Sequence, residues 1–523
     1  MPVIETIVPK QQSLFRASSL VSALTLLSRM VGFIRDMLIA RLFGAQAGID
    51  AFYVAFRIPN FMRRLFAEGA FAQAFVPVLT EYQAQRSISE VRIFIARIAG
   101  YLSVVLSVVT IIGLVAAPFI IFIFAPGFGE HSTRTLLATE MLRVTFPYLM
   151  LVSLTAMAGA VLNTYGYFGV PAVTPVLLNI SMIITALYLS PYFAYSVVAL
   201  AWGVLIAGIL QLLLQVVFLS RHKLLVKPQF VWGDEGVRRV LKLMVPALFG
   251  VSIAQINLLI DSVFASFLQV GSVTWLYYTD RLTDFPLGVF GVAIATVILP
   301  NLSLHSATAG VKQFSASLDW GLRVLLLIGI PSSLGLALFA MPLIASCFAY
   351  GAFLANDALQ TQKSLITLGI GVPAFMITKV LAASFYAHQD LRTPVKVGIW
   401  MMISNSILCL LFIRPLAHAG LTLASTIVSY INCAILFAIL KRRKMYQPAC
   451  GWVKFLCQLL IANSILACYL VFAVGTLNKW MALAPLARLS FLGKDIIVAI
   501  GIYVTFLWLL RLDFRQFRGP LKA

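Results

Sequence analysis

The residues of this chain best suited to chemistry are arginines that interrupt long apolar segments. Arg29 and Arg35 lie in the first such segment, and Arg63 and Arg64 lie in the second. A charge that faces lipid in the middle of a transmembrane helix costs about 2.5–3.5 kcal/mol or more, so these side chains must face water or a partner. Guanidinium groups bind phosphate oxygens in a bidentate manner. The arginines therefore predict a water-filled, cationic cavity that receives an anion.

Other ionisable residues accompany these arginines. Asp36 lies in the first segment, and Glu68 lies four residues beyond Arg64, a spacing that allows an ion pair on one helix face. Arginines outnumber carboxylates here, which favours an anionic ligand. The alternative for each residue is a snorkelling or ion-paired side chain at a helix end. The second half of the chain adds Asp280, Arg281, Asp284 and Lys379.

Composition places these segments in a membrane. Of the 523 residues, 61% are hydrophobic and 11% are charged, and the mean hydropathy is +0.97. These values predict an all-α, polytopic membrane protein, in which each crossing takes roughly 20 apolar residues. The apolar segments predict about fourteen crossings. They lie near residues 20–43, 59–82, 92–124, 135–162, 169–190, 196–220, 238–268, 272–304, 318–348, 361–387, 394–415, 419–441, 452–474 and 490–511.

The charge balance predicts the orientation of the chain. The net charge of +21 comes from 39 Lys and Arg against 18 Asp and Glu. Most of the basic residues in short loops follow even-numbered crossings or lie in the C-terminal tail, so both termini are predicted to be cytoplasmic. No basic domain with interleaved aromatic residues is present, which argues against a nucleic-acid partner. The six cysteines form no CxxC pair and are predicted to be packing residues.

An internal repeat relates residues that are 223 positions apart. Pro77 corresponds to Pro300, Pro171 corresponds to Pro394, and the phase of apolar segments, turns and basic loops agrees over twelve crossings. Six crossings per repeat insert both halves the same way round. The predicted organisation is an N-terminal cytoplasmic segment (1–19), a first lobe (20–221), a cytoplasmic linker (222–237), a second lobe (238–444) and an appendage of two crossings with a tail (445–523).

Four stretches resemble a known family. Residues 28–36 read SRMVGFIRD, residues 50–82 read DAFYVAFRIPNFMRRLFAEGAFAQAFVPVLTEY, residues 163–172 read NTYGYFGVPA, and residues 277–286 contain YYTDRL and DFP. These motifs resemble those of the MurJ (MviN) family, the lipid II flippases of bacterial cell-wall synthesis. The similarity runs from about residue 15 to the C-terminus.

The resemblance implies a MATE-like fold of the MOP exporter superfamily, with two six-helix lobes in a V. Two C-terminal helices would shape a hydrophobic groove for the lipid tail. It also implies that lipid II crosses a cationic central cavity by alternating access, in a bacterial inner membrane. Membrane lipids and other cell-wall synthesis proteins are the further partners expected. The family's functionally important charges match this chain at Arg29, Arg35, Asp50, Arg63, Arg64, Glu68, Asp280 and Arg281.

No cofactor or enzymatic site is predicted. The five histidines lack metal-ligand spacing, and no Walker loop is present. Transport would therefore draw on the membrane potential or on an H⁺ or Na⁺ gradient. Asp261 and Asn405 lie in the middle of predicted crossings and are candidates for a cation or proton site, because carboxylate and amide oxygens suit hard cations. A purely structural Asp261 is the alternative.

Three other functions stay open at this point. A drug or cation antiporter of the same fold would need carboxylates facing the cavity, where the first crossing places arginines. A flippase for another polyprenyl-linked glycan would share the physics of the cavity. A membrane scaffold would have no use for arginines within its apolar segments. If the second and eighth crossings line a hydrated cavity, we expect Ala70 and Val289 to be accessible from water and Leu507 to face lipid.

Overall fold

A computed structural model describes residues 14–64, 70–308 and 310–517. Nearly all of these residues are helical, and none of them forms a β-strand. Contacts between residues divide the chain into two compact units, unit 1 (Met1–Val270) and unit 2 (Gly271–Ala523). Each unit is an all-helical bundle with its own core.

The described residues of unit 1 form ten α-helices. They are α1 (Leu14–Phe43), α2 (Ala47–Met62), α3 (Ala72–Gln85), α4 (Ile88–Val115), α5 (Ala117–Phe124), α6 (Thr133–Thr145), α7 (Tyr148–Thr164), α8 (Gly169–Ile184), α9 (Val198–Arg221) and α10 (Glu235–Ser266).

Unit 2 contains eleven helices among its described residues. They are α11 (Ser272–Pro286), α12 (Val292–Thr308), α13 (Gly310–Leu338), α14 (Ala340–Cys347), α15 (Ala355–Ile370), α16 (Val372–Ala387), α17 (Arg392–Leu416), α18 (His418–Arg442), α19 (Trp452–Val474), α20 (Leu477–Ala482) and α21 (Pro485–Leu509).

In the part of the chain that the structure describes, ten helical segments are long and apolar enough to cross a membrane, and the bent pair α15 and α16 makes an eleventh. The other predicted crossings coincide with α1, with α2 and α3 together, and with α10, which are helices that carry more charge or contain a break. The all-helical, multi-pass class is therefore confirmed. The exact count of fourteen crossings stays a prediction.

The helix boundaries repeat along the chain. Adding 223 to the bounds of α5 gives the bounds of α14, and the same shift relates α4 to α13 and α7 to α16 within one residue. All nine helices α1–α9 have a counterpart in α10–α18, and α19–α21 follow outside the repeat. The structure therefore supports the internal repeat that the sequence predicts.

A tertiary contact repeats as well. In unit 1, the backbone N–H of Gln229 donates to the carbonyl of Ala96 at 2.9 Å. In unit 2, the residues 223 positions later are Trp452 and Asp319, and the indole N–H of Trp452 donates to Asp319 at 3.0 Å. In each unit, the segment after the last helix of the repeat therefore docks on the fourth helix of that repeat. That helix is α4 in unit 1 and α13 in unit 2. The contacts α10 makes with α3, α4 and α5 group it with unit 1, and the lobe boundaries predicted from the sequence stay a prediction.

Asp319 anchors the segment that leads into α19. Its buried carboxylate accepts hydrogen bonds from the Tyr446 hydroxyl, from the backbone N–H of Ala449 at 2.7 Å and from Trp452. The guanidinium of Arg323, one turn along α13, lies 5.1 Å from the centre of the Trp452 ring. Because a carboxylate that loses its water must be paired, this cluster fixes the start of α19 against α13.

Two expectations about exposure are wrong. Ala70 has 0% exposure, because it packs inside unit 1, and Leu507 has 1% exposure, because the face of α21 that carries it packs within unit 2. The lipid-facing residues of α21 are instead those such as Ile497, which is 71% exposed. Helical periodicity, and not the average hydropathy of a segment, decides which residues face lipid.

We expect Asp319→Ala to lower the melting temperature of the purified protein by several degrees. The change removes one acceptor from three donors and leaves buried polar groups unsatisfied, at about 1–3 kcal/mol for each group that finds no water. Melting of the detergent-purified protein, followed by intrinsic tryptophan fluorescence or by thiol labelling, is the measurement.

The matched control is Asp390→Ala in the connection between α16 and α17. Hydrogen bonds from the Thr393 hydroxyl and from Arg443 hold the pKa of Asp390 at about 2. Its stabilising contribution is thus present above the ordinary pKa of about 3.9 and is lost as the pH falls through about 2. Because Asp390 is 23% exposed, the control should cost less at pH 7 than Asp319→Ala. Equal melting of both variants would contradict the anchoring role of Asp319.

Candidate functional site

The charged turn of α1 contains a buried ion pair. Arg35 and Asp36 are 3% and 0% exposed, and the Nε of Arg35 donates to Oδ1 of Asp36 at 2.9 Å. A further nitrogen of Arg35 donates to Oδ1 of Asn179 on α8 at 3.0 Å. Removing one partner of a buried ion pair typically costs about 3–5 kcal/mol. The contact of this pair with Asn179 therefore joins α1 to α8.

Asn179 joins two helices. Its amide nitrogen donates to the carbonyl of Ser28 at 3.0 Å, while its oxygen accepts from Arg35, so both ends of one amide are used. Gly32 makes room for it, since a Cβ at that position would lie 3.2 Å from the amide nitrogen. The close approach of α1 and α8 thus depends on one glycine and one asparagine.

Arg29 has a different environment from Arg35. Its side chain is exposed, and within the described part of the chain it makes no hydrogen bond and no ion pair. Leu26 and Met30 beside it are 52% and 57% exposed. The structure therefore does not group Arg29 with Arg35 in one pocket of unit 1. Arg29 is a cation on an apolar surface that can accept an external anion.

The second helix of unit 1 carries the other predicted charges. Asp50 is fully buried in the first turn of α2. The guanidinium of Arg57 donates to the hydroxyl of Ser262 on α10. Arg63 donates to the Asn60 side chain at 3.3 Å. Arg64 is exposed, and Glu68 lies outside the described residues.

Three of the four predicted site charges of unit 2 lie on α11, which carries Asp280, Arg281 and Asp284. The Nε of Arg281 donates to the hydroxyl of Tyr277 at 3.2 Å, and the guanidinium carbon lies 5.4 Å from the centre of that ring. Asp280 is half-buried, whereas Asp284 is exposed. Lys379 is exposed on α16. Tyr277 therefore orients Arg281 from one turn away on the same helix.

The candidate cation residues lie in different units. Asp261 is partly buried on α10 in unit 1. Asn405 is buried on α17 in unit 2, where its Oδ1 accepts from the Ser425 hydroxyl at 3.3 Å, and Cys409 is buried one turn beyond it. In the described ranges, no group of three or more His, Cys, Asp or Glu residues could hold a metal ion. The cation or proton site stays a prediction.

Sequence reasoning missed the polar partners of the arginines. Asn179 and Ser262 supply the acceptors for Arg35 and Arg57, and neither was singled out. The signal that could have found Asn179 is a lone amide in the apolar run TPVLLNISMII. Buried polar side chains in transmembrane helices are rare because each needs a hydrogen-bond partner.

The arrangement divides the arginines into two chemical classes. Arg35 and Arg57 are held by protein groups and can fix helices in place. Arg29 and Arg64 are exposed, so a ligand can reach them, whereas Arg281 is partly buried against the ring of Tyr277. Guanidinium groups of this second class suit phosphate or pyrophosphate, with no covalent chemistry.

Comparison with known families and relatives gives consistent results. The family model described as "Lipid II flippase MurJ" matches residues 39–490. A "Probable lipid II flippase MurJ" of Haemophilus influenzae is 44% identical over 494 residues, which cover 92% of this chain and 96% of that protein. A "Lipid II flippase MurJ" of Burkholderia cenocepacia is 41% identical over 516 residues, which cover 98% of this chain and all of that protein.

Solved structures agree with these matches. A structure described as "Lipid II flippase MurJ, inward closed conformation" has a TM-score of 0.78 and 29% identity, and the match covers 95% of this chain and 99% of that one. An inward-facing MATE family transporter of the MOP superfamily has a TM-score of 0.67 at 14% identity, covering 80% of this chain and 94% of that one. The second likeness shows a shared fold alone.

We expect Asn179→Ala to destabilise the protein by about 1–3 kcal/mol, because it removes an acceptor from buried Arg35 and the donor to Ser28. Asn163→Ala is the matched control, since Asn163 is exposed at the end of α7. Thermal melting of both purified variants measures the difference. If the two variants melt together, the amide of Asn179 does not hold α1 and α8.

Proposed function

Because this chain belongs to the MurJ family of lipid II flippases, we propose that the exposed Arg29 on α1 and the partly buried Arg281 on α11 each bind the pyrophosphate of lipid II during transport. The chain is a multi-pass membrane transporter, and it moves lipid II across the bilayer without acting as an enzyme. The match extends over nearly the whole chain. A drug antiporter or a scaffold is not favoured by these relatives.

The substrate explains why arginines stand inside the membrane. Lipid II joins a disaccharide-pentapeptide headgroup to a polyprenyl chain through a pyrophosphate. Transfer of such a group through hydrocarbon requires partners for its charges and hydroxyls. Guanidinium groups supply bidentate hydrogen bonds to phosphate oxygens, whereas lysine supplies a point charge.

The observation that carries the proposal is the environment of Arg29. Its guanidinium is exposed on an apolar stretch of α1 and is paired with no described side chain. An unpaired cation at that depth would cost about 2.5–3.5 kcal/mol, and an anionic ligand would remove this cost. Arg281, which contacts the ring of Tyr277, is the arginine of unit 2 to which we give the same role, although it is not at the position that the repeat would match to Arg29.

The proposal gives the other charges that match the family two kinds of role, which are positioning a helix and binding the headgroup. Arg35 acts through Asp36 and Asn179 to position α1. We propose direct roles in binding the headgroup for the other charges that match the family's motifs. These are Asp50, Arg63, Arg64, Glu68, Asp280 and Arg281, with Lys379 and Asp284 as additional candidates.

The last two long helices suit the polyprenyl chain. Leu460 and Phe472 on α19 are 69% and 90% exposed, and Ile497 on α21 is 71% exposed. Large apolar surface of this kind belongs against lipid or an apolar ligand. We place the protein in the inner membrane with both termini in the cytoplasm, from the positive-inside distribution. Cell-wall synthesis proteins are its expected neighbours.

The energy for net transport comes, in this proposal, from the membrane potential or from an H⁺ or Na⁺ gradient. Asp261 is a partly buried carboxylate on a membrane helix, an environment that favours proton or cation binding over an isolated charge. Asn405 contributes an amide oxygen within its own unit. Cys409, one turn beyond, is a poor ligand for Na⁺, which makes a proton on Asp261 the simpler occupant.

We expect Arg29→Ala and Arg281→Ala each to abolish growth in a strain depleted of its own flippase, and lipid precursors should accumulate. Lysine at either position should rescue only in part, because it lacks the bidentate fork. Growth and lipid-linked precursor levels are the measurements, with protein level followed by immunoblot.

Arg41→Ala and Tyr277→Phe are the matched controls. Arg41 is an exposed arginine in the last turn of the same helix as Arg29. Tyr277→Phe keeps the ring under Arg281 and removes only the hydroxyl acceptor. Both controls should complement better than the Arg→Ala variants. Full activity of Arg29→Ala and Arg281→Ala at normal protein levels would reject the role in pyrophosphate binding.

Asp261→Asn tests the coupling residue, because it keeps the side chain's shape and removes its charge. If Asp261 couples transport to an ion, the variant should be expressed normally and lose the dependence of transport on external pH or Na⁺. Glu235→Gln, at an exposed carboxylate in the first turn of the same helix, is the control and should keep that dependence. Unchanged pH and Na⁺ dependence in Asp261→Asn would leave Asp261 a structural residue.

A further inference from the structure

Unit 1 contains a cavity that the proposed transport path does not use. It has a volume of about 810 Å³ and lies between α5, α6 and the connection that joins them. The volume is within the 300–1,000 Å³ range typical of small-molecule sites. One part of the wall is apolar and exposed, with Phe119, Phe122 and Leu136 at 64%, 53% and 60% exposure.

The other part of the wall carries charges of both signs. Glu130, His131, Glu140 and Arg143 line the cavity, and all four are exposed. Over the ranges that the structure describes, none of the four makes a hydrogen bond or an ion pair. Glu140 and Arg143 are three residues apart on α6 and therefore share a face. The cavity thus offers separate partners for an anion and for a cation beside an apolar surface.

The depth of Arg143 identifies the environment of the cavity. The span Thr133–Thr164 contains 32 residues, which is longer than the roughly 20 residues that cross the hydrocarbon. Counting about 20 residues back from Thr164 reaches Val144. Arg143 then lies at the boundary between hydrocarbon and headgroups, on the side that the positive-inside distribution makes periplasmic. A guanidinium at this boundary is satisfied by phospholipid phosphate.

The cavity is formed before any ligand binds. The hydroxyl of Thr135 donates to the carbonyl of Gly129 at 2.7 Å, and the N–H of Gly127 donates to Ser266 on α10 at 3.0 Å. The guanidinium of Arg134 lies 4.6 Å from the centre of the buried Phe128 ring. These contacts hold the connection between α5 and α6 in one conformation, which lowers the entropy cost of binding.

The internal repeat shows what occupies the corresponding place in unit 2. There, Arg488 on α21 donates to the carbonyls of Ala345 and Ala349 at 3.2 and 2.8 Å. Subtracting 223 from these two positions gives Phe122 and Pro126, which both line the cavity of unit 1. A cation from the appendage therefore binds the carboxyl end of α14, whereas among the described residues of unit 1 none takes its place at the end of α5.

The carboxyl end of α5 suits a cation for a local reason too. Pro126 is four residues after Phe122 and has no N–H with which to close the helical hydrogen bond. Helix carboxyl ends carry partial negative charge and bind cations. Glu130 and Glu140 on the same cavity wall add formal negative charge.

We propose that this cavity binds one phospholipid of the outer leaflet whose headgroup carries a primary ammonium, as phosphatidylethanolamine does. Arg143 binds the phosphate, the carboxylates and the end of α5 accept hydrogen bonds from the ammonium, and an acyl chain lies along Phe119 and Phe122. A choline headgroup has no N–H to donate, and the anionic phosphatidylglycerol would place hydroxyls, with no cation, beside two carboxylates.

The test is native mass spectrometry of the purified full-length chain titrated with phosphatidylethanolamine, phosphatidylglycerol or phosphatidylcholine. The unmodified protein should retain one phosphatidylethanolamine more tightly than either other lipid. Arg143→Gln should weaken this binding about tenfold, the loss of one charge-assisted contact. Glu140→Gln should reduce the preference for the ethanolamine headgroup over choline.

Arg41→Gln is the matched control, because it removes the same charge from an exposed arginine in the last turn of α1 that does not line the cavity. It should retain the lipid as the unmodified protein does. Arg143→Lys, with melting measured alongside, keeps the test valid if Arg143→Gln fails to fold, and it should keep most of the binding.

Three outcomes would overturn the proposal. They are unchanged phosphatidylethanolamine binding in Arg143→Gln, equal binding of all three lipids by the unmodified protein, and complete displacement of the lipid by millimolar inorganic phosphate. The last would identify a site for a free anion. Lipid retention is measured without any transport of lipid II, so a negative result here is separate from failure of the transport proposal.

Discussion

A polar group in hydrocarbon must find its partner inside the protein, and the rest of this structure depends on that constraint. Arg35 pairs with Asp36 and Asn179, and the carboxylate of Asp319 accepts hydrogen bonds from three donors. Arg488 donates to backbone carbonyls. Each of these clusters joins elements that are far apart in the chain. The energetic requirement of burying a charge therefore selects which helices pack together.

The internal repeat applies the same solution twice with different residues. The docking of Gln229 on Ala96 uses only backbone groups, whereas Trp452 on Asp319 uses side chains at the corresponding positions. The helix boundaries are kept while the chemistry of the contact changes. The residues of such a repeat can change as long as the polar groups at each contact keep a hydrogen-bond partner. Unit 2 can therefore include contacts from α19–α21, such as those of Arg488.

Charges that are paired within the protein cannot bind a ligand. Transport needs a charge that the protein does not pair internally. Arg29 has this property, since it is exposed and no described side chain pairs with it. Charges of this class are costly without a ligand and are relieved by one. The contrast between Arg29 and Arg35, six residues apart on one helix, separates binding from structural roles more clearly than sequence position does.

The sequence by itself determined the membrane class, the helical segments, the period of 223 residues and the family, because hydropathy, breakers and motifs are local properties of the chain. It also indicated that the arginines within apolar segments are candidates for binding an anion. It could not determine which arginine is buried, since that depends on partners such as Asn179, which lies 144 residues from Arg35. Nor could it show that Leu507 packs inside its unit, or that a cavity lies beside α5. Those facts follow from helix rotation and packing, which only the tertiary structure decides.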